Sequence, residues 1–362
     1  MKYFLKVFMI SFIFFVLLGA GGLMAIFEKD KGSLEVHTPV VIDEDKKDED
    51  SKELEDKNKP IKITFAGDCT LGIYEGSAYA YSLPFVLEEK GKDYGYFFRK
   101  VKPVLEKDDL TLVNLESPLT TSTEKKDKQF CFKGHPDYAN ILREGSIEMV
   151  NIANNHIYDY SKQGFLDTIQ ALKNSDVQYS GEGYITYYSV GDITIASIGY
   201  RGWSTYIKPY ISKDIKEARD KADIVIVSIH WGDENKYYPN KVQKTLGRFA
   251  IDEGADIVIG HHPHVIQGIE KYKDKYIVYS LGNFCFGGNK NPKDKDTIIF
   301  QSEFTVVDKR ITKMEGSIIP CSISSVKNIN NYQPIILEGS EKERVLDRVY
   351  EYSKGLEYGI SR

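Results

Sequence analysis

The 362-residue sequence contains no Walker-type phosphate loop, no G-x-G-x-x-G dinucleotide fingerprint and no G-x-S-x-G nucleophile elbow. Nucleoside-triphosphate chemistry, dinucleotide cofactors and the α/β-hydrolase serine mechanism therefore have no anchor in the sequence. Cysteine is scarce. Cys69, Cys131, Cys285 and Cys321 are the only four, and their wide spacing forms neither a disulfide framework nor a thiolate metal site. Charge of one sign is also missing from most of the chain. Asp43–Asn58 holds nine acidic and four basic residues, a net of −5, which equals the formal net charge of the whole chain. The remainder is neutral by count, which argues against a broad nucleic-acid surface. There is no internal repeat, and low complexity is confined to that acidic stretch.

What the sequence does have begins with an apolar N-terminus. Lys2 and Lys6 precede an uncharged run of 21 residues, Val7 to Phe27. About 20 apolar residues cross a bilayer as a helix. The run is long for a cleavable signal, and its small residues, Gly19 to Gly22, lie inside it. We read residues 1–27 as a signal-anchor, with a cleaved signal as the alternative. The early lysines favour a cytoplasmic N-terminus and an extracellular main domain, so the expected location is the cell membrane, crossed once. Residues 28–60 read as a charged linker too poor in apolar side chains to fold alone. The folded domain is expected over 61–362.

From Ile61 to about Phe286, apolar runs rich in Val and Ile alternate with stretches of helical spacing, among them Tyr94–Lys107, Ser161–Asn174 and Asn240–Gly254. Such alternation implies a layered α/β domain. After Phe286, Thr297–Val307 and Ile311–Ser317 flank a short polar turn and read as a β-hairpin, and Glu341–Tyr358 reads as a terminal helix.

Five of the apolar runs end in metal-ligand side chains: Asp68, Glu116, the Asn154-Asn155-His156 triplet, His230, and the His261-His262-Pro263-His264 cluster. In open α/β sheets, ligands bind beyond the carboxyl ends of the strands. One geometric rule thus sends Asp68, Glu116, Asn155, His230, His262 and His264 toward a single edge. Nitrogen and oxygen donors without a thiolate suit one or two divalent ions, with Mn, Fe and Zn indistinguishable. Each motif also has a plainer reading. Asp68 can make a turn, Glu116 can cap a helix, and His230 can be a core histidine. In an extended segment His262 and His264 share a face and His261 points away.

Around these candidates, His156 reads as a general acid. Asp159 either orients it or caps the helix near Ser161. Alternation puts Asn114 on the face of Glu116. Trp231 is a candidate hydrophobic wall. Asn114, Lys133, Gly282 and Asn283 are candidate substrate contacts.

Taken in order, Gly67-Asp68, Asn114-Leu115-Glu116, Ala153-Asn154-Asn155-His156, His230-Trp231-Gly232, Gly260-His261-His262-Pro263-His264 and Ser280-Leu281-Gly282-Asn283-Phe284 resemble the motifs of the bacterial capsule-synthesis CapA family. That family is linked to poly-γ-glutamate and is similar in fold to calcineurin-like metallophosphoesterases. The resemblance implies a four-layer αββα sandwich with a dinuclear metal centre, in which Glu116 takes the place of a bridging Asp. It also implies an anionic surface polymer, or the subunits of its synthase, as partner. The metal site is then either catalytic or vestigial in a binding subunit; a phosphoesterase for an unrelated small substrate is a further reading. The sequence departs from the pattern at two points. Thr70 stands where phosphoesterases carry the His of Asp-x-His, and Leu71-Gly72-Ile73 lacks an Arg often found there.

Overall fold

The computed structural model describes residues 60–362; the expected anchor, Val7–Phe27, and residues 28–59 of the linker lie outside the described residues. Among the described residues, no helix is long and apolar enough to cross a membrane. In chain order the strands are β1 (Ile61–Thr70), β2 (Ile73–Tyr74), β3 (Leu110–Leu115), β4 (Phe132–Lys133), β5 (Met149–Asn151), β6 (Gln178–Ser180), β7 (Thr186–Val190) and β8 (Ile193–Gly202). They continue with β9 (Ile224–Trp231), β10 (Ile257–His261), β11 (Ile269–Tyr272), β12 (Lys275–Val278), β13 (Asn283–Phe286), β14 (Asp296–Val307), β15 (Arg310–Ser322) and β16 (Ile335–Ile336). The helices are α1 (Leu83–Glu89), α2 (Lys102–Leu105), α3 (Ala139–Glu144), α4 (Ser161–Asn174), α5 (Lys208–Arg219), α6 (Lys241–Glu253) and α7 (Gly339–Ser353).

Two sheets form the frame. The first runs β16-β15-β14-β1-β3-β5-β6, with β13 pairing alongside the end of β1; the second runs β11-β12-β10-β9-β8-β7. The central strands of both are parallel. Parallel strands need apolar cover on both faces, and the buried side chains divide accordingly into three layers. Leu87, Leu142, Phe165 and Leu172 from the helices α1, α3 and α4 cover the outer face of the first sheet. Ile63, Phe65, Leu112, Ile195, Ile226, Ile257 and Ile259 fill the space between the sheets. Ile211, Ile215, Leu246 and Ala250 from α5 and α6 cover the outer face of the second. The result is a four-layer αββα sandwich.

Local signals explain the element ends. Helix α6 starts in a capping box, Asn240 with Gln243, and stops at Gly254, whose φ of 118° is left-handed. The β14–β15 hairpin turns on Asp308 and Lys309, both at positive φ, as a two-residue primed turn requires. The expected helix over Tyr94–Lys107 is instead a 3-10 turn at Tyr94–Tyr96 and the short α2; Pro103 cannot continue a helix from before it. Helix α7 seals one margin of the inter-sheet layer with Val345 and Val349. All four cysteines are buried and free.

Candidate metal centre

Strand alternation positions most of the site. Along β9, Ile224 and Ile226 face the first sheet, while Val225, Val227 and Ile229 face the helices. The same period puts His230 between the sheets and Trp231 among the helices. Along β3, Leu110 and Leu112 point inward and Val113 and Leu115 outward, so Asn114 and Glu116 point inward. Strand β1 would break the rule. Phe65 faces inward, and Asp68 lies an odd number of residues beyond it. A bulge corrects this: Phe65 pairs with Leu112, yet Asp68 pairs with Asn114, so one extra residue is inserted and Asp68 returns to the inner face. Gly67 makes the bulge possible, because a Cβ there would lie 2.0 Å from the Gly282 carbonyl oxygen. That same oxygen accepts the Asp68 N–H at 3.0 Å.

The inward side chains converge. Asn114 Nδ2 donates to Asp68 Oδ1 at 2.8 Å and lies 3.3 Å from His230 Nδ1. Its Oδ1 accepts from Asn151 at 2.9 Å and Asn154 at 3.3 Å. His230 Nε2 meets Asn155 Oδ1 at 2.8 Å and lies 3.4 Å from Glu116 Oε1. His264 Nε2 lies 3.7 Å from that Glu116 oxygen, and its Nδ1 bonds Asn283 Oδ1 at 2.8 Å and lies 3.5 Å from Asp68 Oδ2. The His262 N–H donates to Asp68 Oδ2 at 3.2 Å, and the His230 and His262 rings sit 4.7 Å apart. The structure thus brings Asp68, Glu116, Asn155, His230, His262 and His264 to one place, at the carboxyl ends of the strands.

Glu116 is the centre of the arrangement. It is 1% exposed, and neither carboxylate oxygen has a hydrogen-bond partner. Nor do His262 Nδ1 and both ring nitrogens of His261. A buried polar group without a partner costs roughly 1–3 kcal/mol, more when charged. One ligand atom each from Glu116, His262 and His264 lies within 4.8 Å of the others, a group able to hold a metal ion. Burial, then the neighbouring Asp68 charge, raises the Glu116 carboxyl well above its usual range. Burial would raise Asp68 too, but the adjacent imidazoles of His261 and His264 and the Asn114 amide hold it low. Burial and the crowd of imidazoles push His230 well down, and His262 falls to about 4. The neutral imidazole is the form that ligates metal, and His262 Nδ1 has no other partner. The donor set fits a divalent cation.

Beside this cluster, His156 Nδ1 bonds Asp159 Oδ2 at 2.7 Å, leaving Nε2 as the unengaged nitrogen. Burial lowers the His156 pKa against the opposing pull of Asp159. Asp159 also accepts the Phe132 N–H at 2.7 Å, and the Phe132 ring packs edge-on against His156. Asp159 therefore orients His156; it does not cap α4.

Several expectations need correction. His261 does not point away. It ends β10 on the inter-sheet side, paired in register with His230, and its Nδ1 lies 3.5 Å from Asp68 Oδ1. The segment that follows is not extended, for His262 and His264 have φ of 98° and 59°. Trp231 is no wall of the site. It is buried against Tyr279 and donates its Nε1–H to the Tyr279 carbonyl. The wall is Trp203, 46% exposed, edge-on to His262 at 4.7 Å and to His230 at 5.8 Å. Asn114, Gly282 and Asn283 use their polar groups on Asp68, His230 and His264, which makes them positioning groups. Lys133 lies outside the cluster. Its ammonium donates to the Ser122 carbonyl at 2.7 Å and sits over the Tyr160 ring, lining a separate cavity of about 500 Å³ with His135 and Tyr138. The cation at the site is Lys128, which donates to the Asn155 carbonyl at 3.1 Å, sits 3.2 Å from His156 Nδ1 and pairs with Asp159. Within the charged run Glu124–Lys128, nothing in the sequence distinguishes it from its neighbours. Trp203 had a weak signal, since it follows the glycine that ends β8.

Comparison with known proteins identifies the family. Residues 62–288 match the family described as bacterial capsule synthesis protein PGA_cap. The capsule biosynthesis protein CapA of Bacillus anthracis is 32% identical over 259 residues, 64% of this chain and 61% of that protein. The PGA biosynthesis protein CapA of Bacillus subtilis is 34% identical over 252 residues, 62% of this chain and 63% of that protein. The matched region thus spans less than two thirds of these relatives. Among solved structures, a hypothetical protein from Thermus thermophilus aligns with a TM-score of 0.45 at 14% identity, over 72% of this chain and 99% of that one. A 5'-nucleotidase from Candida albicans aligns with a TM-score of 0.40 at 11% identity, over 82% and 58%. The family match covers more than half of the sequence and includes every residue of the cluster, and the chain belongs to the bacterial capsule synthesis protein PGA_cap family.

Proposed function

We propose that this chain is a membrane-anchored, extracellular, metal-dependent hydrolase that acts in the synthesis or export of a capsular polymer, poly-γ-glutamate. The relatives' names supply the polymer and the apolar Val7–Phe27 supplies the anchor. The observation that carries the chemistry is Glu116: a buried carboxylate with no hydrogen-bond donor on either oxygen, 3.4 Å from His230 Nε2 and 3.7 Å from His264 Nε2. Asp68, Glu116, Asn155, His230, His262 and His264 would hold one or two divalent ions. When bound, such ions polarise a phosphoryl or acyl oxygen and activate water.

The chain's own residues do the rest. Asp159 fixes the His156 ring with Nδ1 toward itself, so proton transfer falls to Nε2. Lys128 places a positive charge beside the same ring, where an anionic substrate would gather. Trp203 shields His230 and His262 from solvent on one side.

The test uses the full chain, with metal content and hydrolysis of a phosphodiester or of the polymer measured in the same samples. His262→Ala should lower both together. His156→Ala should keep the metal and lose turnover by about 10²–10⁴. Metal loss in His156→Ala would show the roles to be misassigned. A wild type that binds metal without turnover, combined with a His262→Ala strain that makes no polymer, would establish a binding subunit instead. Protease added to protoplasts should remove the domain; protection would reverse the topology.

A further inference from the structure

Beyond the six residues above, one more histidine faces the same centre. His261 is buried, 1% exposed, and neither of its ring nitrogens has a hydrogen-bond partner. An ordinary core histidine satisfies at least one nitrogen, because an orphaned polar atom in the interior is costly. Its place is set by β10. Ile257 and Ile259 face inward, and Gly260 lies under Trp231 and Tyr279, where a Cβ would sit 2.0 Å from the Tyr279 carbonyl oxygen. His261 must then point between the sheets, toward Asp68.

Asp68 lies between two imidazoles. Oδ1 is 3.5 Å from His261 Nδ1, and Oδ2 is 3.5 Å from His264 Nδ1. Glu116 in turn lies between His264, at 3.7 Å, and His230, at 3.4 Å. Around Glu116, Asn155 lies with His230 and Asp68 lies with His264, while His262 borders both pairs, its ring 4.7 Å from that of His230 and one ligand atom within 4.8 Å of atoms of Glu116 and His264. The Asp68–His264 side gains no further side-chain donor from β1. Thr70, two residues beyond Asp68, adds nothing to it, since its hydroxyl turns back to the Glu116 carbonyl at 3.5 Å.

The geometry points to His261 as a ligand of a second divalent cation on the Asp68–His264 side of the centre. This rests on the metal-binding reading above and extends it: the chain holds two ions, and His261 is what makes the second possible. The competing role is a hydrogen bond from His261 to Asp68 that merely positions the carboxylate.

The experiment loads the purified full chain with Mn²⁺ and reads stoichiometry by elemental analysis and coupling by electron paramagnetic resonance. Wild type should hold two ions with an exchange-coupled spectrum. His261→Gln should hold one, with an uncoupled spectrum. Cobalt-loaded His261→Cys should gain a thiolate-to-cobalt charge-transfer band that wild type lacks, which reports ligation even if the Gln variant folds poorly. One ion in wild type, or two coupled ions in a folded His261→Gln, would overturn the assignment of His261 and leave the metal centre standing. No ion in wild type would remove the metal reading itself.

Discussion

At the N-terminal ends of the parallel strands, four carboxylates repeat one arrangement. Asp109, Glu148, Asp223 and Asp256 each precede their own strand and accept the first free N–H of the neighbouring strand. The partners are Lys62, Thr111, Thr194 and Val225, all at 2.8 Å. Arg219 and Lys275 further pair with Asp256. At the opposite ends of these strands, Glu116 is as deeply buried as Asp256, the other three foot carboxylates being partly exposed, and neither of its oxygens has a hydrogen-bond donor. The same residue class thus serves two purposes in one sheet sandwich. Carboxylates at the foot close the hydrogen-bond ladder; at the top, Asp68 has donors and Glu116 has none. The difference teaches that burial alone does not mark a functional acid; burial without a partner does.

The comparison is sharpest when both ends are mutated. Glu116→Gln should abolish tight metal binding. The loss should exceed the roughly 10–100-fold that removal of a supporting hydrogen bond costs. The same change should leave the melting temperature of the metal-free protein equal or higher, because a buried unpartnered acid disappears. Calorimetric titration and thermal melts on one sample read both. A lower melting temperature in metal-free Glu116→Gln would mean that Glu116 is a structural group like those at the foot.

Asp256→Ala should do the reverse. It orphans the buried Val225 N–H and should cost about 1–3 kcal/mol of stability by chemical denaturation. Its partly exposed ion pairs add little to this. Metal affinity should not change, and a loss there would couple the two ends in a way this account does not contain.

The smallest effect concerns pH. Asp108, beside Asp109 at the foot, accepts the Thr111 hydroxyl at 2.7 Å. Burial, against that bond, raises its pKa to about 6. Its unfolded value is near 3.9. The folded state therefore binds more protons between about pH 4 and 6, and stability falls as pH rises through that window. Asp108→Asn keeps an acceptor for Thr111 and removes the charge. Its denaturation midpoint should exceed that of wild type at pH 7 and match it at pH 4. Equal gains at both values would point to packing and not to ionisation.

Much of the centre was legible because alternation and strand-end placement are read directly from the residues. Glu116, His230 and the histidine cluster follow from them. Asp68 reached its place by a different route. Two-residue periodicity alone turns it outward, and only the bulge at Gly67 reverses that, through a contact with Gly282 more than 200 positions away. His261 departs from the alternation of an extended segment because His262 and His264, which follow it, adopt left-handed conformations. Trp231 leaves the site for the same reason that places His230 in it: along a strand, the neighbour of an inward residue points out. Lys128 was invisible, since a lysine in a charged loop carries no periodic signal. The segments Val7–Phe27 and 28–59 remain a reading of the sequence.

We infer that the open Glu116 carboxylate at the top of the strands binds a divalent ion. Crystals grown with Mn²⁺ and measured for anomalous scattering give the decisive test. A strong anomalous peak bounded by Glu116, His262 and His264 is expected. An empty map at that position, or manganese found only at the foot carboxylates, would contradict it.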